Sequence, residues 1–245
     1  MTETFRRRDL TVVPLPPSGK KCLVLACDSC GGVGEKPGDI LKLPPYLAAK
    51  FTARVALTEI ICSGAAPVAI TNGVSCEMDP TGAETIAGVR DELREAGAGG
   101  IALTGSTEEN FASCMTAVAV TAVGIAEEKK LKFCKASKGD AFILLGRPLC
   151  GDSVDTASKG YYPEIRKLLT MRGVREIVPV GSGGVLREAL SLAALNGSGF
   201  LPAETEVDCA TSAGPATCLL VLCAASYAKK VAGVYGESYF MGEIG

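Results

Sequence analysis

Histidine and tryptophan are both absent from this 245-residue chain, and aromatic residues make up only 5% of it. The missing histidine removes whole classes of chemistry. There can be no Ser-His-Asp triad, no Cys-His nucleophile pair, no histidine general base and no His-ligated zinc. Net charge is scarce as well: 25 Lys and Arg against 27 Asp and Glu leave -2, which gives no electrostatic pull toward nucleic acid or an anionic membrane. The one basic run, Arg6-Arg7-Arg8, is too short for a binding arm and reads as part of a solvated tail.

Long apolar runs are missing too. No stretch approaches the roughly 20 residues that cross a bilayer. Arg6-Arg7-Arg8-Asp9 interrupts the place where a signal peptide would have its apolar core, so the expected location is cytoplasmic. In that compartment the eleven cysteines read as reduced thiols, and their odd number agrees. Cys27 and Cys30 form a CxxC, yet a zinc site without histidine normally takes four thiolates, and no second CxxC is present. Small buried thiols are the expectation.

What is present is a globular composition, 47% hydrophobic and 21% charged, arranged in alternating strand-like and helix-like segments. Residues 1–20, with Pro14, Pro16 and Pro17, read as an extended arm. A strand over 21–27 enters a loop rich in glycine (Gly31, Gly32, Gly34, Gly38). After Pro44-Pro45 the pattern predicts a helix over 46–63, stopped by Gly64 and Pro67. A strand over 68–75 precedes Thr81-Gly82-Ala83-Glu84, a capping-box pattern that opens a second helix. Strands follow at 101–104 and 115–126. The lysine-dense stretch 127–138 marks the boundary between halves, giving an N-terminal domain at 21–136 and a C-terminal domain at 137–245. In the second half, strands at 140–145, 174–180 and 217–222 alternate with helices at 163–171 and after Gly181-Ser182-Gly183-Gly184. Alternation in both halves predicts α/β or α+β layering.

Four constellations could carry chemistry. Asp28 follows a strand directly and precedes the glycine-rich loop, a place for a ligand group or for an Asx-turn. Glu59 lies roughly 140° around its helix from Arg54 and further still from Lys50, beside Ala48, Thr52, Val55 and Ser63. Without a cation on its own side of the helix it is a metal ligand, half of a salt bridge to another element, or simply exposed. The loop 104–110 is dense in hydroxyls, two acids and an amide. Gly181-Ser182-Gly183-Gly184 at a helix start offers backbone N–H groups that suit a phosphate, or makes a tight strand-to-helix turn. It is not a Walker A loop, because the GK[ST] ending is missing. Carboxylates on rigid elements, in a chain without histidine, suit magnesium, which takes oxygen ligands and keeps several waters.

Taken together, Cys27-Asp28-Ser29, Gly38-Asp39-Ile40, Leu57-Thr58-Glu59-Ile60 and Ser63-Gly64-Ala65-Ala66-Pro67 resemble the aminoimidazole-ribonucleotide-synthetase-like (PurM-like) ATP-binding superfamily. The closing Gly242-Glu243-Ile244-Gly245 resembles its terminal strand. Within it the chain is most similar to the α-ribazole kinases of cobamide salvage, through Gly38-Asp39-Ile40-Leu41-Lys42-Leu43-Pro44-Pro45, Phe51-Thr52-Ala53-Arg54-Val55-Ala56, Thr104-Gly105-Ser106-Thr107-Glu108-Glu109-Asn110 and Ser212-Ala213-Gly214-Pro215-Ala216-Thr217. The resemblance implies a two-domain fold whose N-terminal mixed sheet pairs in a homodimer and whose C-terminal α/β domain covers the site. It implies ATP and Mg2+ as cofactors and α-ribazole or a similar nucleoside as the small-molecule substrate. By position, Asp28, Glu59 and Glu108 would be metal ligands. Lys42, Thr104, Gly105, Ser106, Thr107, Asn110, Gly183 and Gly184 would contact the nucleotide. The catalytic set would be Asp28, Asp39 and Glu108, of which Asp39 or Glu108 could accept the substrate proton.

The chain departs from that pattern at several positions. Ser18-Gly19-Lys20-Lys21 stands near the place of a frequent Gly-Asp-Asp-Ala. Glu59 and Ser106 each replace a family Asp, with Glu108 as compensation for the second. In the second domain, Pro179-Val180-Gly181-Ser182-Gly183-Gly184 replaces Asp-x-Thr/Ser-x-Gly-Gly. These changes bear on the number of metal ions and on the substrate.

Overall fold

The structure is a computed structural model that describes residues 3–17, 20–133 and 135–245. Ser18 and Gly19, at the place of the Gly-Asp-Asp-Ala, lie outside the described residues. The chain forms two compact units, one of residues 1–60 and 65–129, the other of residues 61–64 and 130–245. The last passage of the chain between them, after Lys129, falls within the lysine-dense stretch. No helix among the described residues is long and apolar enough to cross a membrane.

The first unit is built on β1 (Phe5–Arg7), β2 (Leu10–Pro14), β3 (Lys21–Gly31), β4 (Val33–Gly34), β5 (Leu41–Lys42), α1 (Pro45–Cys62), β6 (Ala66–Val74), α2 (Ala83–Glu95), β7 (Ala102–Ser106) and β8 (Ala117–Glu127). Six of the strands make one sheet in the order β1-β2-β3-β8-β6-β7, while β4 and β5 pair apart from it. The ladder between β3 and β8 runs unbroken from Lys21↔Glu127 to Gly31↔Ala117. Side chains alternate across a strand, so Cys22, Val24 and Ala26 of β3 share a face with Val118, Val120 and Ala122 of β8, all buried. The opposite face carries Leu23, Leu25, Val123 and Thr121, each half-buried.

The described residues of the segment 1–20 are not the solvated arm that its prolines and arginines predicted. β1 and β2 form a hairpin on the sheet edge, with Thr11↔Leu25 and Val13↔Leu23 pairing to β3. Leu10 and Val12 are fully buried. Pro14 is tolerated because it ends the strand, where no ladder donor is needed. The capping box at Thr81 is also not formed. A π-helical turn, Met78–Gly82, precedes α2, and the Thr81 hydroxyl donates to Glu77 at 2.6 Å.

The second unit comprises β9 (Ala141–Gly146), α3 (Tyr162–Leu169), β10 (Val174–Pro179), α4 (Gly184–Leu195), β11 (Phe200–Pro202), β12 (Cys218–Cys223), α5 (Ala228–Ala232) and β13 (Ser238–Ile244). Its antiparallel sheet has the order β10-β12-β9-β13-β11. The inner strands β9 and β12 read as continuous apolar runs and are buried throughout. Phe142, Leu144 and Leu220 pack on Val185 and Leu192 of α4. Phe200 meets Phe142 edge-on with ring centroids 5.0 Å apart.

Helix α1 is clasped to α2 by a buried ion pair. Arg54 Nε donates to Glu92 Oε1 at 2.9 Å and Nη2 to Oε2 at 3.1 Å, with side chains only 3% and 0% exposed. The guanidinium also lies 4.9 Å from the Phe51 ring centroid, and Lys50 reaches Glu95 at 2.6 Å. Removing one member strands a desolvated charge, so Glu92→Gln is expected to cost about 3–5 kcal/mol. Urea titration checks this, and replacing both Arg54 and Glu92 by Met should recover much of the loss.

Candidate functional site

Asp28 sits near the end of β3, on the face that carries Ala26 and Cys30. Continuing the register from Thr11↔Leu25 brings the turn of the first hairpin, Arg8-Asp9, alongside Cys27 and Asp28. Asp28 is pushed up from 3.8 to about 6, first by burial and then by the like charge of Asp9, against a hydrogen bond from the Ser29 amide.

α1 runs antiparallel to β3 beneath this face. At one end Thr52 hydrogen-bonds the Cys30 thiol. At the other, Gly124, opposite Val24 in the ladder, leaves no room for a side chain beside Ile60. This direction carries Glu59 to the hairpin tip, where Arg8 Nη1 donates to Glu59 Oε2 at 2.9 Å. Both side chains are buried, 4% and 8% exposed. Glu59, expected as a metal ligand, therefore meets a guanidinium.

The loop after β3 is held by Asp39. Its Oδ2 accepts from Lys36 N at 2.8 Å and from Thr116 Oγ1 at 2.7 Å, and its Oδ1 accepts from Thr116 N at 2.7 Å. Hydrogen bonds of this kind favour the charged form. They hold the carboxyl below its usual range although burial opposes them. Gly34 is required at this contact, because a Cβ there would lie 2.0 Å from Thr116 Oγ1. Lys42, expected at the nucleotide, donates to the loop carbonyl of Lys36 at 2.6 Å.

Two further loops are laced to this one. Lys36 Nζ pairs with Glu77 at 2.7 Å, and that hydrogen bond together with Thr81 draws Glu77 down to about 2. The turn after β6 is joined to the 106–116 loop by Ser113 Oγ to Ser75 O, Glu108 N to Cys76 O at 2.9 Å, and Met78 N to Glu109 Oε1 at 2.8 Å. Glu108 Oε1 accepts the amides of Asn110 and Phe111 at 2.7 and 3.3 Å. Asp39 and Glu108, both expected as proton acceptors, thus close backbone turns, and Thr107 donates to Glu109 at 2.8 Å.

Register separates Thr104 and Ser106, but not Gly105, from Asp28. One row across the sheet reads Cys27, Thr121, Thr71 and Thr104, and the next reads Ser29, Ala119, Gly73 and Ser106. Both rows lie on the face away from α1. The Asp28 row continues through Val120 and Asn72 to Gly105, on the helix side. Cys27 and Cys30 fall on opposite faces about 10 Å apart along the strand, too far for a disulfide or a shared metal.

In the second unit Gly183 caps α4, and Gly184 begins it at φ +74. A Cβ at Gly184 would come within 2.5 Å of Cys209 O. One amide expected for phosphate is occupied, Gly184 N by Gly181 O at 3.2 Å, and in the first turn of the helix Leu186 N is taken by Cys209 O at 3.1 Å.

Residues 8–126 match the family described as AIR synthase related protein, N-terminal domain. No curated protein matches the chain. Among solved structures it is similar to T. maritima PurL complexed with ATP, with TM-score 0.72 and 18% identity over 95% of this chain and 41% of that one. It is also similar to E. coli HypE, with TM-score 0.66 and 18% identity over 91% of this chain and 79% of that one. A HypE-HypF complex gives TM-score 0.67 at 17% identity, over 91% and 84%. The chain is thus PurM-like in fold, and it spans about two-fifths of the length of T. maritima PurL.

Sequence reasoning missed Arg8, Asp9, Lys36, Glu77 and Thr116. Only Asp9 left a trace, as a turn-forming residue between two short β-like stretches. Arg8 is the opposite case, since its φ of 55 suits glycine or asparagine.

The raised Asp28 gives a pH dependence. The folded protein holds a proton that the unfolded chain releases near 3.8, so Asp28 lowers stability progressively as pH rises from there to about 6. Denaturant midpoints in chelator are expected to show Asp28→Asn gaining on the wild type across that window, with a constant difference above it.

Proposed function

We propose that this protein is an ATP- and magnesium-dependent small-molecule kinase that phosphorylates α-ribazole or a similar nucleoside. The observation that carries the reading is Asp28: a half-buried carboxylate at a strand end beside a glycine-rich loop, inside the segment matching the AIR synthase related domain. The fold likeness to PurL complexed with ATP supports the nucleotide, and the α-ribazole kinase motifs support the substrate.

Asp28 and the nucleotide's own phosphates would hold magnesium, which supplies charge neutralisation at the transferring phosphoryl group. The protein's contribution is then largely positional. The laced loops from Gly31 to Lys42, Ser75 to Gly82 and Ser106 to Thr116 provide a rigid frame, with Asn110 as a polar group toward nucleotide, whereas Thr104 and Ser106 face the other side of the sheet from Asp28. Asp39 is a poor proton acceptor, because its oxygens already take three hydrogen bonds.

A second reading is a nucleotide-binding scaffold without turnover. The engagement of Asp39 and Glu108 by backbone amides favours it. Steady ADP release that requires α-ribazole supports the kinase, whereas ATP binding with no release under any acceptor supports the scaffold. Release with other acceptors, but not with a nucleoside, points to another ATP-dependent reaction such as carbonyl activation.

Two outcomes follow for the protein alone. ATP should stabilise it by about 2.7 kcal/mol at a hundredfold excess over Kd with magnesium present, and much less in chelator. Equal thermal shifts in the two conditions would remove the metal from the reading. The half-buried apolar face of the first sheet is the surface for a paired-sheet homodimer, so light scattering should give twice the 25.2 kDa chain mass.

A further inference from the structure

Three observations converge on the tip of the first hairpin. Arg8 holds φ 55 in a two-residue turn between Arg7 and Leu10, a conformation costly for a side chain other than Gly, Asn or Asp. Its guanidinium is buried and donates to Glu59 Oε2 at 2.9 Å. Glu59 lies on the α1 face that also carries Thr52 toward β3, and it is the residue at which the resemblance places a metal. A divalent cation on that carboxylate would sit within a few ångströms of a fixed positive charge, and like charges at that range in a buried setting repel strongly.

We propose that Arg8 is a fixed cation standing where the resemblance puts a metal ion, so that Glu59 positions the hairpin tip and divalent-metal binding is left to Asp28 and the nucleotide phosphates. This rests on the nucleotide reading above, and it alters that reading in one respect. Glu59 acts through Arg8, not on the substrate. An arginine suits the place because its charge is permanent and its planar fork bonds a carboxylate directionally. The strained turn is then explained by what its side chain does. The hairpin tip brings Asp9 against Asp28 in the same movement, so one ion pair sets the surroundings of the carboxylate that remains for metal.

The experiment compares the wild type, Arg8→Gln, Glu59→Gln and the double variant by thermal unfolding, in chelator and in magnesium without nucleotide. It then adds magnesium titrations of ATP binding. Each single change should lower Tm by roughly 10 °C, since it strands a buried charge, and the double variant should lose clearly less than the two losses added. Magnesium alone should not separate wild type from Glu59→Gln. The magnesium needed for half-maximal ATP binding should stay within about twofold in Glu59→Gln, where loss of a metal-supporting group costs about tenfold or more. Additive Tm losses, or a magnesium requirement raised tenfold by Glu59→Gln, would overturn the inference. If the wild type binds no ATP while the coupled Tm losses persist without a magnesium effect, the ion pair stands and the nucleotide reading alone falls.

Discussion

The first unit depends on the ladder that joins β3 to β8 from Lys21↔Glu127 to Gly31↔Ala117. Because side chains alternate with period two, this single register assigns every residue of the sheet's centre to one face. It sends Val24, Ala26 and Val120 under the helices together with Asp28. It sends Cys27, Ser29 and Thr121 to the other face, and the in-register pairing of β6 with β7 carries that division out to Thr104 and Ser106. A slip of one residue would exchange the two sets. The chemistry available at each face is therefore decided by backbone hydrogen bonds far from any ligand.

Desolvated charge is the second constraint. α1 buries Arg54 and Glu59 on different sides, and each is met by a partner from another element, Glu92 on α2 and Arg8 on the hairpin. Neither pair is needed for apolar burial, since the helix is rich in Ala, Leu and Ile. Both fix where neighbours may sit, because a displaced partner leaves a charge in low dielectric. The Arg8 pair does this for a hairpin only three and five residues long in its strands, an element with little contact area of its own.

The strands and helices with strong periodicity were legible in the sequence. The apolar runs of β8, β9 and β12, and the helix following Pro44-Pro45, match within a few residues of the expected spans. What was not legible has specific causes. The three prolines and three arginines near the N-terminus looked like a solvated arm, yet Leu10 and Val12 alternate correctly for a strand and the prolines fall at its end. Thr81 and Glu84 have capping-box spacing, but Glu77 captures the Thr81 hydroxyl from four residues away. Of the candidate site, Asp28 was recognisable as a ligand group or turn former, and Glu59 as a carboxylate in need of a partner. The groups they meet, Arg8 as the partner of Glu59 and the like-charged Asp9 near Asp28, come from a segment some 20 to 50 residues earlier, and no local pattern announces an approach of that kind.

The loop rim bears on the proposed metal requirement, because several of the expected ligands are engaged elsewhere. Among the described residues, the charged side chains that lace it are four carboxylates, from Asp39, Glu77, Glu108 and Glu109, and two ammonium groups, from Lys36 and Lys42. The hydrogen bonds that Asp39 and Glu77 accept hold both in the charged form, so the rim stays acidic through the neutral range. A bare polyphosphate approaching it would be repelled. A polyphosphate carrying its own magnesium would not, because the ion offsets phosphate charge before any protein ligand is added. On the proposed reading a metal dependence would follow from the charge balance of a structural rim, with Asp28 left to respond to the ion, and it would not require the full ligand set that the resemblance implied.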